Sequence, residues 1–195
     1  MSRSRNLAVS KSRNEYIIFI DGDMILHKDF VKDHVRFAKE GFFLQGSRSF
    51  ITENFTRELI LNKTLNLPSR LSKNLTNKMN AFRVPLFTKA FSLFASKRRK
   101  RIRTCNLSLF RNEIIKVNGF NEDFKSWGQE DSEFVERLYN CGIFRRDIKF
   151  SALQYHLHHK EGNSNNDNLL ILSETIEKQL TWCANGIDKH LSKNA

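Results

Sequence analysis

The chain has 195 residues, 39% of them hydrophobic and 17 of them phenylalanine, enough for one domain with a real core. Its formal charge of +12 and pI near 9.8 favour polyanionic partners: nucleic acid, anionic lipid, nucleotide diphosphates or phosphorylated acceptors. No apolar run reaches the ~18–20 residues of a membrane span, Met1–Arg13 lacks the apolar stretch of a secretory signal, and Cys105, Cys141 and Cys183 form no CxxC. A soluble or peripheral protein with reduced thiols in a cytosolic compartment is therefore expected.

In chain order, Tyr16–Ile20 is a short bulky run that predicts a strand buried on both faces, as in a parallel sheet. Asp21-Gly22-Asp23 stops it, and Leu26–Glu40 has helical spacing closed by Gly41. His34 falls on the apolar face of that helix and is expected in the core. Phe42–Ile51 predicts a second strand, Thr52–Leu65 a helix ending before Pro68, Ser69–Asn80 a polar loop, and Pro85–Ser96 a helix with Phe87, Phe91 and Phe94 on one side. That helix runs into Lys97–Arg103, where six of seven residues are Lys or Arg. Arg103–Phe110 predicts a third strand, Arg111–Asn118 and Glu130–Cys141 helices ended by Gly119 and Gly142, and Phe144–Tyr155 the last strand. Asn168–Cys183 predicts a helix burying Leu169, Leu172, Ile176, Leu180 and Cys183, stopped by Gly186. About four strands alternating with helices make an α/β layout.

Three strings carry chemistry. Ligands of open α/β sheets sit beyond the carboxyl ends of strands, which is where Asp21 and Asp23 fall. Their spacing across Gly22 lets both carboxylates face one crevice and hold a divalent cation, although Asp-Gly-Asp is also ordinary turn chemistry. On a helix at about 100° per residue, Phe134, Val135, Leu138 and Cys141 form the buried stripe of Glu130–Cys141. Asp131 then points inward from the first turn, Glu130 lies at the margin, and Glu133, Glu136 and Arg137 face solvent. An ionised Asp131 at a cleft edge can take a proton from a sugar hydroxyl; simple complementation of the helix dipole is the plainer reading. Trp127 and Gly128 just before it offer an aromatic face and close backbone approach. Finally, His156, His158 and His159 follow the last strand, where imidazoles and Asp23 together suit Mn²⁺ better than Ca²⁺, with Mg²⁺ as the alternative cofactor.

The segment CNLSLFRNEIIKVNGFNEDFKSWGQEDSEFVERLYNCG (Cys105–Gly142) resembles the galactosyltransferase carboxy-terminal module of family-two and related glycosyltransferases. In that family an N-x-S/A-x-x-R-x-x-F/I-x-x-x-N/G-G-F-[ND]-E unit leads into W-G-x-E-D-x-[ED]. RNLAVSKSRNEYIIFIDGDMIL (Arg5–Leu26) resembles the family's stretch into its metal-binding DxD, and His156-Leu157-His158-His159 its H-L-x-H pattern. The likeness covers most of Ser4–Gly186, closely over Arg5–Ser49 and Cys105–Lys160 and weakly over Phe50–Thr104. It implies a GT-A type, nucleotide-diphospho-sugar transferase fold and an inverting reaction. Asp131 is the implied general base, with Glu130, Trp127 and Gly128 at the acceptor. Asp23, His159 and His156 are the implied metal ligands; Asp21, Arg5 and Asn6 join Asp23 near the donor. The Asp23 carboxylate and an imidazole of His156–His159 should then lie within about 6 Å, close enough to share an ion.

The family's opening strand–turn, of the V-S-V-I-I-P-T-Y-N kind, has no counterpart here. The expectation is a partial GT-A fold, with N-terminal strands missing: a single, N-terminally truncated catalytic domain over 1–195, a variable helical insertion over 50–104 and a C-terminal helix over 166–186. Such a chain should bind a nucleotide diphosphate more weakly than about millimolar. The implied partners are a nucleotide-diphospho-sugar donor, a saccharide or lipid-linked saccharide acceptor such as a lipopolysaccharide or other surface glycan, and, for the basic run beside the Phe-rich helix, an anionic membrane surface at the cytoplasmic face. No helix-turn-helix, RNP or zinc-finger pattern supports a nucleic-acid partner. The alternative is a non-catalytic remnant or basic binding module.

Overall fold

The computed structural model describes residues 1–160 and 166–191. Helix α1 (Ser2–Lys11) comes first, then strands β1 (Tyr16–Phe19) and β2 (Met24–Leu26) on either side of the Asp21-Gly22-Asp23 bend. Helix α2 (Phe30–Phe37), β3 (Phe42–Gln45), β4 (Ser49–Ile51), α3 (Glu53–Leu61), β5 (Leu75–Thr76) and α4 (Pro85–Ser92) follow. The chain continues through β6 (Leu107–Phe110), α5 (Arg111–Lys116), α6 (Glu130–Asn140), β7 (Phe144–Asp147), β8 (Gln154–His156) and α7 (Asn166–Glu177).

These strands form two mixed four-stranded sheets, ordered β1-β6-β3-β7 and β2-β8-β4-β5. The mixed α/β architecture is consistent with the expected GT-A fold, but among the described residues eight short strands replace the four expected. Phe42–Ile51 and Phe144–Tyr155 each break in two, one half in each sheet, as does the chain between β1 and β2. Strand β1 also differs from the parallel, doubly buried strand expected. It is an edge strand antiparallel to β6, Tyr16 opposite Phe110 and Phe19 opposite Leu107, and only Phe19 of its residues is buried. Parallel pairing is confined to β3–β7 and β4–β8.

One side chain stitches the crossings together. Asn106 donates through Nδ2 to the carbonyls of Ser47, between β3 and β4, and Ala152, between β7 and β8, at 2.8 and 3.0 Å. Its Oδ1 lies 3.0 Å from His34 Nε2, and His34 Nδ1 meets Ser108 Oγ at 2.7 Å. A Cβ on Gly46 would fall 2.1 Å from Asn106 Oδ1, so only glycine lets the chain pass this clamp. His34 is therefore a core histidine, as expected, and burial pushes its pKa down to about 4.

The largest core lies between the first sheet and α5–α6, around Phe43, Leu107, Leu109, Ile114, Phe120, Phe134 and Leu138. Smaller clusters sit under α3, with Ile51, Leu59 and Tyr155, and under α2, with Phe30, Leu44 and Ile148.

Two helices depart from their expected faces. Along α6 the predicted stripe of Phe134, Val135 and Leu138 is fully buried, but Glu133, Glu136 and Arg137 are buried too, at 1%, 4% and 0% exposure. Arg137 pairs bidentately with Glu133 at 2.7 and 2.8 Å, and Arg99 clamps Glu136 at 2.7 and 2.6 Å. Helix α7 covers the other side, Thr175 donating to Glu133 at 3.3 Å. An amphipathic pattern cannot anticipate a helix covered on two sides by polar partners. Helix α7 itself stops at Glu177 and buries Asn168 and Thr175, whereas Leu169 and Ile176 of the expected apolar face are exposed.

Candidate active site

The pairing of β2 with β8 sets Met24 opposite His156, and Leu157 N–H donates to the Asp23 carbonyl at 3.0 Å. This register brings a carboxylate and two imidazoles together from opposite ends of the chain. Asp23 Oδ2 lies 3.2 Å from His156 Nε2 and 2.8 Å from His159 Nε2, and the three donor atoms fall within 4.8 Å of one another. His158 is exposed and is not part of this group; its backbone N–H donates to Thr56 Oγ1 at 3.0 Å. Asp23 Oδ1 is buried with no hydrogen-bond partner. Burial first, and then the Arg48 cation, holds the His156 pKa below its ordinary value, which keeps the imidazole neutral and able to ligate. An orphaned carboxylate oxygen beside two imidazole nitrogens fits a divalent cation, so the residues present suit the group that this fold class employs.

A second cluster is organised by Arg5, which α1 projects across the edge of the first sheet. Its Nη1 donates to Asp131 Oδ1 at 2.9 Å and lies 3.5 Å from Glu130 Oε1; its Nη2 reaches Asp21 Oδ1 at 3.2 Å. Burial opposes the cation, but Asp131, Asp21 and Glu130 outweigh it and raise the Arg5 pKa. Glu130 is pushed up by burial and by neighbouring Asp131. Thr104 completes the frame: its backbone N–H donates to Asp131 Oδ2 at 2.9 Å and its hydroxyl to Oδ1 at 2.7 Å. Oδ1 thus accepts two bonds and Oδ2 one, leaving a lone pair on Oδ2. A cavity of about 550 Å³ runs along β1 beside Arg5, Asp21 and Gly22.

Trp127 is 46% exposed, and Gly128 and Gln129 carry positive φ of 105° and 72°, a tight lead into α6. Asn168 of α7 fastens this lead by donating to the carbonyls of Ser126, Trp127 and Gly128 at 3.2, 3.3 and 2.7 Å. The Gly128 N–H donates to Glu130 Oε2 at 3.0 Å.

Of the residues expected at the site, Asn6 is not available to a donor. It is fully buried, and its amide is spent on the Phe120 backbone, donating to the carbonyl and accepting from the N–H, and on Glu122. Arg5 is engaged by carboxylates of both strings, so it ties Asp21 to Asp131 across the cluster. Thr104 and Asn168 escaped the sequence reading. Thr104 lies at the margin of the weakly resembling 50–104 stretch, and Asn168 looks like an ordinary first-turn polar residue.

Residues 1–116 match the family described as glycosyl transferase family 2, and residues 85–160 one described as the N-terminal domain of galactosyltransferase. A chondroitin synthase of Pasteurella multocida (strain Pm70) is 30% identical over 165 residues, covering 78% of this chain and 17% of that protein. An Escherichia coli chondroitin synthase is 24% identical over 165 residues, covering 78% of this chain and 24% of that protein. An uncharacterised glycosyltransferase of Bacillus subtilis (strain 168), YfnE, is 25% identical over 177 residues, with 74% of this chain and 45% of the relative covered. The chain thus spans less than half the length of each of these relatives. With a family match over more than half of its residues, and with the sheet-seam acids and histidines in one neighbourhood, the chain belongs to glycosyl transferase family 2.

Proposed function

We propose that the protein transfers a sugar, with inversion, from a nucleotide-diphospho-sugar to a saccharide acceptor of a surface polysaccharide. Family membership and the chondroitin synthase relatives support the reaction class. The observation that carries the site assignment is the convergence of Asp23, His156 and His159 beside the Arg5-linked pair Asp21 and Asp131.

In this reading Asp23, His159 and His156 hold Mn²⁺ or Mg²⁺, which when bound supplies charge neutralisation for a departing diphosphate. Asp21 contacts the nucleotide, with Arg5 setting its position. Trp127 offers its exposed face to the acceptor ring while Glu130 meets its hydroxyls and the Gly128 bend lets the ring approach the backbone. Asp131 accepts the proton of the attacking hydroxyl at Oδ2, the atom that keeps a lone pair. Arg5 and Thr104 hold that carboxylate in one orientation, so the acceptor, not the base, must move into place.

The test is transfer by the protein with Mn²⁺ present. Asp131→Asn should lower kcat by about 10²–10⁴-fold and leave Mn²⁺ affinity unchanged. Asp23→Asn should abolish Mn²⁺ binding itself. Retention of more than about a tenth of kcat by Asp131→Asn removes the base assignment. An unaltered protein that binds no Mn²⁺ favours the non-catalytic, basic-module alternative.

A second reading concerns α4. Leu86, Phe87 and Phe91 are exposed on it and Leu93 and Phe94 just beyond its end, which falls at Ser92 and not at the expected Ser96, alongside exposed Lys89, Lys97 and Arg98. Apolar side chains rimmed by cations fit an anionic bilayer surface. Among the described residues no helix is long and apolar enough to cross a membrane. Co-sedimentation with phosphatidylglycerol vesicles, lost in Phe87→Ser/Phe94→Ser, tests the reading; equal sedimentation of that variant refutes it.

A further inference from the structure

The basic run Lys97–Arg103, which the site above does not use, is built into the protein. Ile102 is 3% exposed in the main core, and the exposed Arg101 and Arg103 flank it. Buried Arg145 donates to the carbonyls of Arg98 and Lys100 at 3.3 and 2.8 Å, and the Tyr139 hydroxyl to that of Arg98 at 2.9 Å. The run therefore forms a fixed wall of a cavity of about 730 Å³, within the ~300–1,000 Å³ typical of ligand pockets. Arg48, Lys78, Arg98, Arg101, Arg103 and Lys149 line this cavity together with Arg145. Its one carboxylate, Asp147, is taken by Arg145 at 2.9 and 2.6 Å. Among the described residues, none of the other six cations is ion-paired with a carboxylate.

The cavity also presents an unmatched acceptor. Gln154 is fully buried; its Nε2 donates to Cys105 Sγ at 3.5 Å, and its Oε1 has no partner. A buried acceptor without a donor calls for an explanation, and a ligand hydroxyl supplies one. The cavity adjoins the proposed catalytic groups on two sides. Cys105 follows Thr104, which holds Asp131, and the Arg48 guanidinium lies 4.8 Å over the Phe50 ring, itself 5.4 Å from the His156 ring.

We propose that this cavity binds an acidic saccharide, with its carboxylate or phosphate against Arg98, Arg101 and Arg103 and a hydroxyl on Gln154 Oε1. Its role as an acceptor subsite rests on the glycosyl-transfer reading; the binding itself does not. Excess cation held by a buried framework selects an anion, and the orphan amide oxygen selects a hydroxyl on the same ligand.

Calorimetry on the protein at physiological ionic strength tests this with a glucuronate-containing tetrasaccharide and its carboxyl-reduced, neutral counterpart. The acidic form should bind about tenfold tighter or better. Arg101→Gln and Arg103→Gln should each weaken it about three- to tenfold, leaving the neutral form unaffected. Gln154→Met should weaken both forms, and Lys11→Gln, an exposed cation of α1, neither. Displacement by free glucuronate alone assigns a carboxylate, displacement by a hexose phosphate alone assigns a phosphate, and displacement by neither overturns the proposal. Equal affinity for the two tetrasaccharides overturns it as well, as does displacement by a polynucleotide at lower concentration than by glucuronate. The arginine variants alter exposed side chains and keep the test valid if Gln154→Met fails to fold. Binding without sugar transfer would refute the proposed function alone; transfer without acidic preference would refute this inference alone.

Discussion

The two clusters at the sheet seam differ in how completely they satisfy themselves. Around Arg5, each carboxylate is held: one guanidinium is shared among Asp21, Glu130 and Asp131, and Thr104 fixes Asp131 from the other side, leaving only one lone pair on its Oδ2. Around Asp23, a buried oxygen has no donor and both neighbouring imidazoles compete for the other oxygen. The first cluster holds its own shape. The second is electrostatically incomplete, and in the proposed reading an external cation completes it. A protein that needs a fixed base and an exchangeable metal–diphosphate complex gains from that division, because preorganisation belongs with the group that stays.

The comparison breaks most sharply at Arg5. Arg5→Met leaves buried Glu130 and partly exposed Asp131 without their cation; removing one partner of a buried pair costs about 3–5 kcal/mol, and the exposure of Asp131 sets the expected cost at the lower end of that range. Urea unfolding should register the loss as a lower midpoint; a cost under about 1 kcal/mol would mean that the cluster is not closed by Arg5.

A pair of histidines sharpens it next. His34 and His156 both have lowered pKa values, with burial as the leading cause, but His34 has both ring nitrogens hydrogen-bonded and no ligand role. Its folded pKa of about 4 lies below the unfolded value of 6.5, so the unfolded chain binds more protons between them. That contribution is complete above pH 6.5 and is lost as pH falls through 4, amounting to about 3 kcal/mol at ~1.4 kcal/mol per pKa unit. Thermal melts across this window should show the decline, and His34→Gln should flatten it. An unchanged slope in that variant would assign the acid sensitivity elsewhere.

The open cluster makes the complementary prediction. Adding Mn²⁺ at about a hundred times its Kd should stabilise the protein by about 2.7 kcal/mol through linkage. Asp23→Asn should erase that gain. The same substitution should change the stability of the metal-free protein by about 1 kcal/mol or less, because an amide oxygen can keep the His156 and His159 contacts of Oδ2 and Oδ1 makes no bond to lose. A large loss of metal-free stability would move Asp23 into the structural class with Arg5.

Legibility in the sequence followed the range of the interactions. Asp21 and Asp23 at a strand end, Asp131 in the first turn of α6 and imidazoles after the last strand were all visible, because each is a matter of a few consecutive residues. Helices α5 and α6 came out within two residues for the same reason, their ends being marked by Gly119 and Gly142. The weaker elements were those whose fate depends on distant partners. Two apolar runs looked like single strands because hydrophobic pattern is blind to which sheet a residue joins, and the Asn106 clamp that divides them gathers residues from four separate segments.

What the sequence determined by itself was the inventory of chemistry: two carboxylates across a glycine, an acidic helix start, three histidines, a basic run and enough apolar mass to bury them. Tertiary structure decided which of these meet. Arg5 and Asp131 are 126 positions apart, and no local propensity encodes their 2.9 Å contact. Burial of Glu133, Glu136 and Arg137 likewise required α7 and the basic run to close over α6. Spacing along the chain sets which residues share a face, but the dielectric around each, and hence its charge and its use, is set by the elements that fold onto it.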